Sequence, residues 1–160
     1  MQICSYQTDS VEETYRFGHA LGECLQANDV LALQGYLGTG KTTLTHGIAK
    51  GLGINSPVSS PTFTLLYEHP AGKKNLSLYH FDAYRLVDEW EWYDAGFMEY
   101  LNNDGVSIIE WADKIQNVLP KHSIWLNIKE NSRQLNSRVF TLKVPDGIRF
   151  DCQHLSDWSL

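Results

Sequence analysis

From Gly35 to Thr43 the chain reads Gly-Tyr-Leu-Gly-Thr-Gly-Lys-Thr-Thr, which fits the spacing G-x-x-x-x-G-K-[ST]. Three glycines without Cβ atoms let a backbone turn tightly and offer successive N–H groups to an anion. A helix starting near Lys41 adds unpaired amides and a partial positive charge at the same point. In such a loop Lys41 reaches the β- and γ-phosphates of a nucleotide, and the Thr42 hydroxyl ligates Mg²⁺. The residues assigned to nucleotide binding here are Gly35, Leu37, Gly38, Thr39, Gly40, Lys41, Thr42 and Thr43.

Hydrolysis also requires an acid to handle the metal or the attacking water. Glu110 follows the apolar run Val106-Ser107-Ile108-Ile109, and ligands of open α/β sheets sit beyond the carboxyl ends of strands. It could hold a magnesium-bound water, act as general base, or do both. Asp82 ends another strand-like run, within a polar cluster of His80, Tyr84 and Arg85, and is the candidate to share that work. Thr62, on the loop after the expected helix, could sense the γ-phosphate as switch loops do.

These residues need elements to hold them. Val30-Leu31-Ala32-Leu33 reads as a buried strand leading into the glycine loop. Leu44, Ile48 and Leu52 recur every fourth residue behind it, with Gly53 placed to end that helix. Upstream, residues 2–6 suit a short edge strand, and Ser10 with Glu13 forms a capping box. Val11, Thr14, Phe17, Gly18, Leu21, Gly22 and Leu25 then share one helical face, with the two glycines expected to allow close packing on a sheet. Residues 63–69 and 76–81 are strand-like around a hairpin at 70–74. Residues 89–101 have helical period, with Trp90, Tyr93, Phe97, Tyr100 and Leu101 on one face and Trp92 and Glu99 opposite. Six acids against one arginine over residues 82–99 suit a solvated face, or an acidic docking surface anchored by Trp92. A short helix should precede Pro120. Residues 123–129 and 138–144 alternate as an antiparallel pair, with Ile124, Leu126, Ile128, Phe140, Leu142 and Val144 inward.

Composition sets the bounds. The 160 residues suit a single domain, 1–160, with 145–160 as a C-terminal tail. A net charge of −6 argues against non-specific nucleic-acid binding, although a nucleic acid could be a partner's substrate. Cys4, Cys24 and Cys152 are far apart in sequence and suggest reduced thiols rather than a disulfide framework or zinc site. There is no signal-like leader and no long apolar run, so the expectation is a cytoplasmic protein with no membrane role.

With Gly35–Thr43, Ser60-Pro61-Thr62-Phe63, Tyr79-His80-Phe81-Asp82-Ala83-Tyr84-Arg85-Leu86 and Ile109-Glu110-Trp111 in this order, the chain resembles the TsaE (YjeE) family. These are bacterial ATPases of tRNA threonylcarbamoyladenosine synthesis. The resemblance implies an α/β, P-loop NTPase-like three-layer sandwich with central parallel strands flanked by antiparallel ones. It implies ATP and Mg²⁺ as ligands, Lys41 and Thr42 on the nucleotide and metal, Glu110 as a metal ligand, and Asp82 serving hydrolysis. Lys41, Asp82 and Glu110 are thus the catalytic set, and Thr42 and Glu110 the metal set. TsaB and TsaD would be partners, with tRNA met only through them. The family carries Asp and Ala where this chain has Tyr36 and Thr39. It also has an arginine near the end of the sheet that contacts nucleotide. Arg133 and Arg138 compete for that role, and Arg133 is preferred because loops reach ligands readily. Two other readings of the same loop are a small-molecule or nucleotide kinase and a non-catalytic nucleotide switch. The kinase is disfavoured by only five arginines and no arginine-rich lid.

Overall fold

The computed structural model describes residues 1–36, 38–102 and 104–160. In chain order these form β1 (Gln2–Thr8), α1 (Val11–Cys24), β2 (Val30–Gln34), α2 (Lys41–Gly51), β3 (Leu66–His69), β4 (Leu78–Asp82), α3 (Glu89–Asp94), β5 (Val106–Glu110), β6 (Ile124–Glu130) and β7 (Arg138–Val144). Short 3-10 turns occupy Phe97–Asn102, Ala112–Ile115 and Cys152–Trp158.

The strands make one sheet in the order β1-β7-β6-β2-β5-β4-β3. Neighbours from β6 to β4 run parallel, while β1, β7 and β3 attach antiparallel at the flanks. The expected architecture is therefore present. The central strand β2 is apolar from Val30 to Leu33 because both of its faces are covered there, and only its last residue, Gln34, is exposed. Leu31 and Leu33 face the layer formed by α1, α2 and the tail, whereas Val30 and Ala32 face α3 and the short turns. On the outer wing the register pairs Leu126 with Leu142 and Ile128 with Phe140, which places the alternating residues inward as their period required.

The helix starts and stops follow local chemistry. The Ser10 hydroxyl accepts from the Glu13 amide at 3.1 Å, while the Glu13 carboxylate accepts from the Asp9 amide at 2.7 Å, one residue earlier than a standard box. After α2, Gly53 takes φ of 77° and its amide reaches the Lys50 carbonyl.

Three expectations change. Gly18 and Gly22 do pack closely, but against α2 rather than the sheet. A Cβ on Gly18 would lie 2.5 Å from the Leu44 carbonyl oxygen and one on Gly22 2.3 Å from that of Ile48. Gly47 and Gly51 of α2 return the contact against the Tyr15 and His19 carbonyls, at 2.2 and 2.1 Å. The two helices thus cross backbone to backbone.

The segment 89–101 is not one helix. Gly96, at φ of 75°, divides α3 from the following 3-10 turn, so no single wheel applies. Trp92 is buried against Phe81 and Phe97, with its indole N–H directed at the Met98 sulfur, and Trp90 is 73% exposed. A docking surface anchored by Trp92 is therefore excluded. The third change is at residues 63–65, which precede β3 as a turn. The Thr64 and Leu65 amides both bond the Pro61 carbonyl, and Leu65 has φ of 66°.

The C-terminal tail is docked on β1 and α1. Leu155 is buried, Trp158 meets the Phe17 ring edge-on at 5.7 Å, and the Leu160 amide bonds the Ser5 carbonyl.

Candidate nucleotide-binding site

A cavity of about 290 Å³ opens at the carboxyl ends of β2, β4 and β5. One wall is the glycine loop with the first turn of α2: Gly38, Gly40, Lys41, Thr42 and Thr43. The other is built from Ser60, Thr62, Asp82, Tyr84, Glu110 and Trp111.

The first wall is held by backbone. Gly38 and Gly40 have φ of 77° and 96°, the left-handed region that side chains resist. Gly40 is also the N-cap of α2 and supplies no capping side chain, which leaves the helix start open toward the cavity. Thr39 is buried, and its hydroxyl donates to the Tyr36 carbonyl at 2.7 Å. Beneath the loop, Arg138 donates from Nε to the Thr39 carbonyl at 2.9 Å and from Nη2 to the Gly38 carbonyl at 3.2 Å. That guanidinium satisfies two carbonyls of the loop and also lies 3.7 Å from Glu130 Oε1.

Lys41 is the one cationic side chain among the described lining residues. Its ammonium donates to the Gly35 and Tyr36 carbonyls at 2.6 and 2.8 Å and lies 4.5 Å from the centre of the Trp111 ring. Burial pushes its pKa below the ordinary lysine range, while Glu110, Asp82 and Asp113 pull it back up.

The second wall depends on side chains. Asp82 and Glu110 are in-register neighbours on β4 and β5, and both are buried. Asp82 accepts from the Tyr84 amide at 2.8 Å through Oδ1 and from the Thr62 hydroxyl at 2.9 Å through Oδ2. Ser60, two residues from Thr62 along the loop, bonds the Thr62 hydroxyl at 2.8 Å. Glu110 Oε2 lies 3.1 Å from His80 Nε2, both side chains buried. His80 Nδ1 has no partner among the described residues, so the fitting tautomer carries its proton on Nε2 and donates it to Glu110. Trp111, at φ of 57°, turns its ring back between Lys41 and Tyr84, 5.0 Å from the latter's ring.

Eight sequence-assigned residues converge on this cavity: Gly38, Gly40, Lys41, Thr42, Thr43, Thr62, Asp82 and Glu110. Gly35 and Thr39 support the loop from behind, and Leu37 lies outside the described residues. Arg133 is not brought to the loop. The 131–137 connection bonds to itself through Asn131, Gln134 and Ser137, and Arg133 stays on that outer turn. Arg138 reaches the loop because β7 runs antiparallel and begins beside it. Arg85 stacks 4.4 Å over the Phe63 ring. Ser60 and Tyr84 were not assigned to the cavity from sequence; each lies two residues from an assigned one, Thr62 and Asp82, and the hydrogen-bonded segments 60–62 and 82–84 bring them to the same wall.

Fold and cavity together define an α/β protein of the P-loop NTPase-like class. A family profile described as threonylcarbamoyl adenosine biosynthesis protein TsaE matches residues 8–139. The chain is 39% identical over 158 residues to the tRNA threonylcarbamoyladenosine biosynthesis protein TsaE of Bacillus subtilis, covering 98% of this chain and 96% of that one. It is 43% identical over 119 residues to the protein of the same name in Haemophilus influenzae, covering 71% and 73%. The crystal structure of Bacillus subtilis YdiB superposes with a TM-score of 0.79 at 34% identity, covering 98% of this chain and 95% of that one. The chain belongs to the TsaE family, whose role is in tRNA threonylcarbamoyladenosine biosynthesis. Among the described residues no helix is long and apolar enough to cross a membrane.

Proposed function

We propose that this chain binds ATP with Mg²⁺ in the cavity and hydrolyses it slowly, as the ATPase component of the tRNA threonylcarbamoyladenosine machinery. It acts with TsaB and TsaD, meets tRNA only through them, and works in the cytoplasm. The observation that carries this reading is the facing of two buried carboxylates, Asp82 and Glu110, across one cavity from the open start of α2.

The donor set suits a hard divalent cation. The Thr42 hydroxyl and the Glu110 carboxylate offer oxygen only, and magnesium sites of nucleotide enzymes use one or two carboxylates with phosphates and waters completing the shell. Bound there, the ion would neutralise charge on the β- and γ-phosphates. Glu110 holds one oxygen on His80, which fixes the carboxylate's orientation. Asp82 has both oxygens engaged and places the Thr62 hydroxyl at the cavity wall. The attacking water is therefore held between Glu110 and the Asp82–Thr62 pair. Lys41 exchanges the Gly35 and Tyr36 carbonyls for phosphate oxygens, a stronger charge-assisted bond. The described lining contains no arginine, so charge on the γ-phosphate is under-stabilised and turnover by the isolated chain is slow.

The test is titration of the purified chain with ATP with and without Mg²⁺, followed by phosphate release with and without TsaB–TsaD. Metal-enhanced binding and partner-stimulated release are expected. Rapid release by the chain alone, or transfer of the γ-phosphate to a metabolite, overturns the proposal.

A further inference from the structure

The fold brings together two thiols 148 residues apart in sequence, Cys4 on β1 and Cys152 at the start of the tail's 3-10 turn. Their sulfurs lie 3.1 Å apart, with the Cys4 S–H directed at Cys152 Sγ. A covalent S–S bond needs about 2.05 Å, so closure requires a shift of roughly 1 Å. The third thiol lies near the pair but is directed at backbone, since Cys24 donates to the Ala20 carbonyl one turn back at 3.3 Å and to the Asp151 carbonyl at 3.8 Å. The buried Tyr6 hydroxyl sits against the Cys4 and Cys152 sulfurs, where an O–H donor favours a thiolate on Cys152.

We propose that Cys4 and Cys152 are a reversible dithiol–disulfide pair that staples the C-terminal tail to β1 in the presence of a small-molecule disulfide of the oxidised-glutathione class. Cys4 gives up its proton and its sulfur attacks one sulfur of the small disulfide. That S–S bond breaks, one small thiol departs with the proton, and a mixed disulfide remains on Cys4. The Cys152 sulfur then attacks Cys4 Sγ, and the second small thiol leaves with the Cys152 proton. Two protein thiols are oxidised and one small disulfide is reduced to two thiols. Burial pushes the Cys152 thiol up to about 11, which lowers its thiolate fraction and slows its attack, while the 3.1 Å contact with Cys4 Sγ holds its target in place for the second step. In a reducing compartment the pair stays open, and an oxidising load closes it.

Closure acts on a segment already docked. The tail carries buried Leu155, sets Trp158 against Phe17 of α1, and pairs Ser159 with Tyr6 of β1. A covalent link at its first turn holds those contacts closed for as long as it is oxidised and ties the tail to β1.

The experiment incubates the full chain at neutral pH with reduced or excess oxidised glutathione. Acid quenching, alkylation, intact mass, peptide mapping and thermal unfolding follow. Expected are a monomer lacking two hydrogens, a Cys4–Cys152 cross-linked peptide, and a Tm rise on the order of 5–10 °C that dithiothreitol reverses. Cys4→Ser and Cys152→Ser each lose both the link and the rise, whereas Cys24→Ser keeps them. A glutathione adduct that persists on Cys4, a link through Cys24, or a linked protein with unchanged Tm overturns the proposal.

Discussion

The two walls of the cavity are made in different ways. The glycine loop and helix start are backbone structures, with Arg138 bracing the carbonyl side from below. The acid wall is a set of side chains tied to one another: Asp82 to Thr62 and Ser60, and Glu110 to His80. A wall made of backbone keeps its shape when an exposed side chain changes. A wall made of linked side chains loses its geometry when any member is shortened. The first should therefore govern nucleotide affinity and the second the rate of hydrolysis.

Lys41→Ala gives the largest expected effect. It removes the lone cation among the described lining residues and should weaken ATP binding by about 10²-fold or more, read by equilibrium titration. Glu110→Gln keeps shape but removes charge. Hydrolysis should fall by about 10²-fold while ATP still binds and still raises Tm, and equal losses of binding and rate would erase the distinction between the walls. Arg138→Met removes the brace and should cost about tenfold in affinity with kcat little changed. Thr62→Val loses one hydrogen bond to Asp82 and should lower kcat by roughly 3–10-fold with affinity retained.

The smallest effect lies away from the site and serves as its control. Burial raises the Cys24 thiol from 9.0 to about 11. A folded-state value above the unfolded one means that stability present below pH 9.0 is lost as pH climbs toward about 11. Denaturant unfolding across that window should show the loss, and Cys24→Ala should reduce it without altering ATP binding.

The difference between the walls also explains what could be read in advance. The glycine loop is legible because its strand, turn and helix are contiguous, so residue types and spacing carry the whole argument. Glu110 and Asp82 were legible as strand-end acids. Their side-by-side register, and the bond from His80 to Glu110, depend on which strands become neighbours. Arg138 was undervalued for the same reason, since its reach to Gly38 and Thr39 follows from the direction of β7. Trp90 and Trp92 exchanged places because one glycine, Gly96, ended a period that otherwise continued. Gly18 and Gly22 signalled close approach correctly, but a helical face does not say whether a sheet or another helix will meet it.

That crossing has a genetic consequence. Gly18, Gly22, Gly47 and Gly51 each sit against a main-chain carbonyl of the opposite helix. A methyl group added at any of them confronts an atom that every amino acid possesses, so no exchange at the opposing residue can make room. Revertants of Gly47→Ala should accordingly arise at Gly47 itself, or where the seating of a whole helix can be adjusted, and not at Tyr15, the residue it touches.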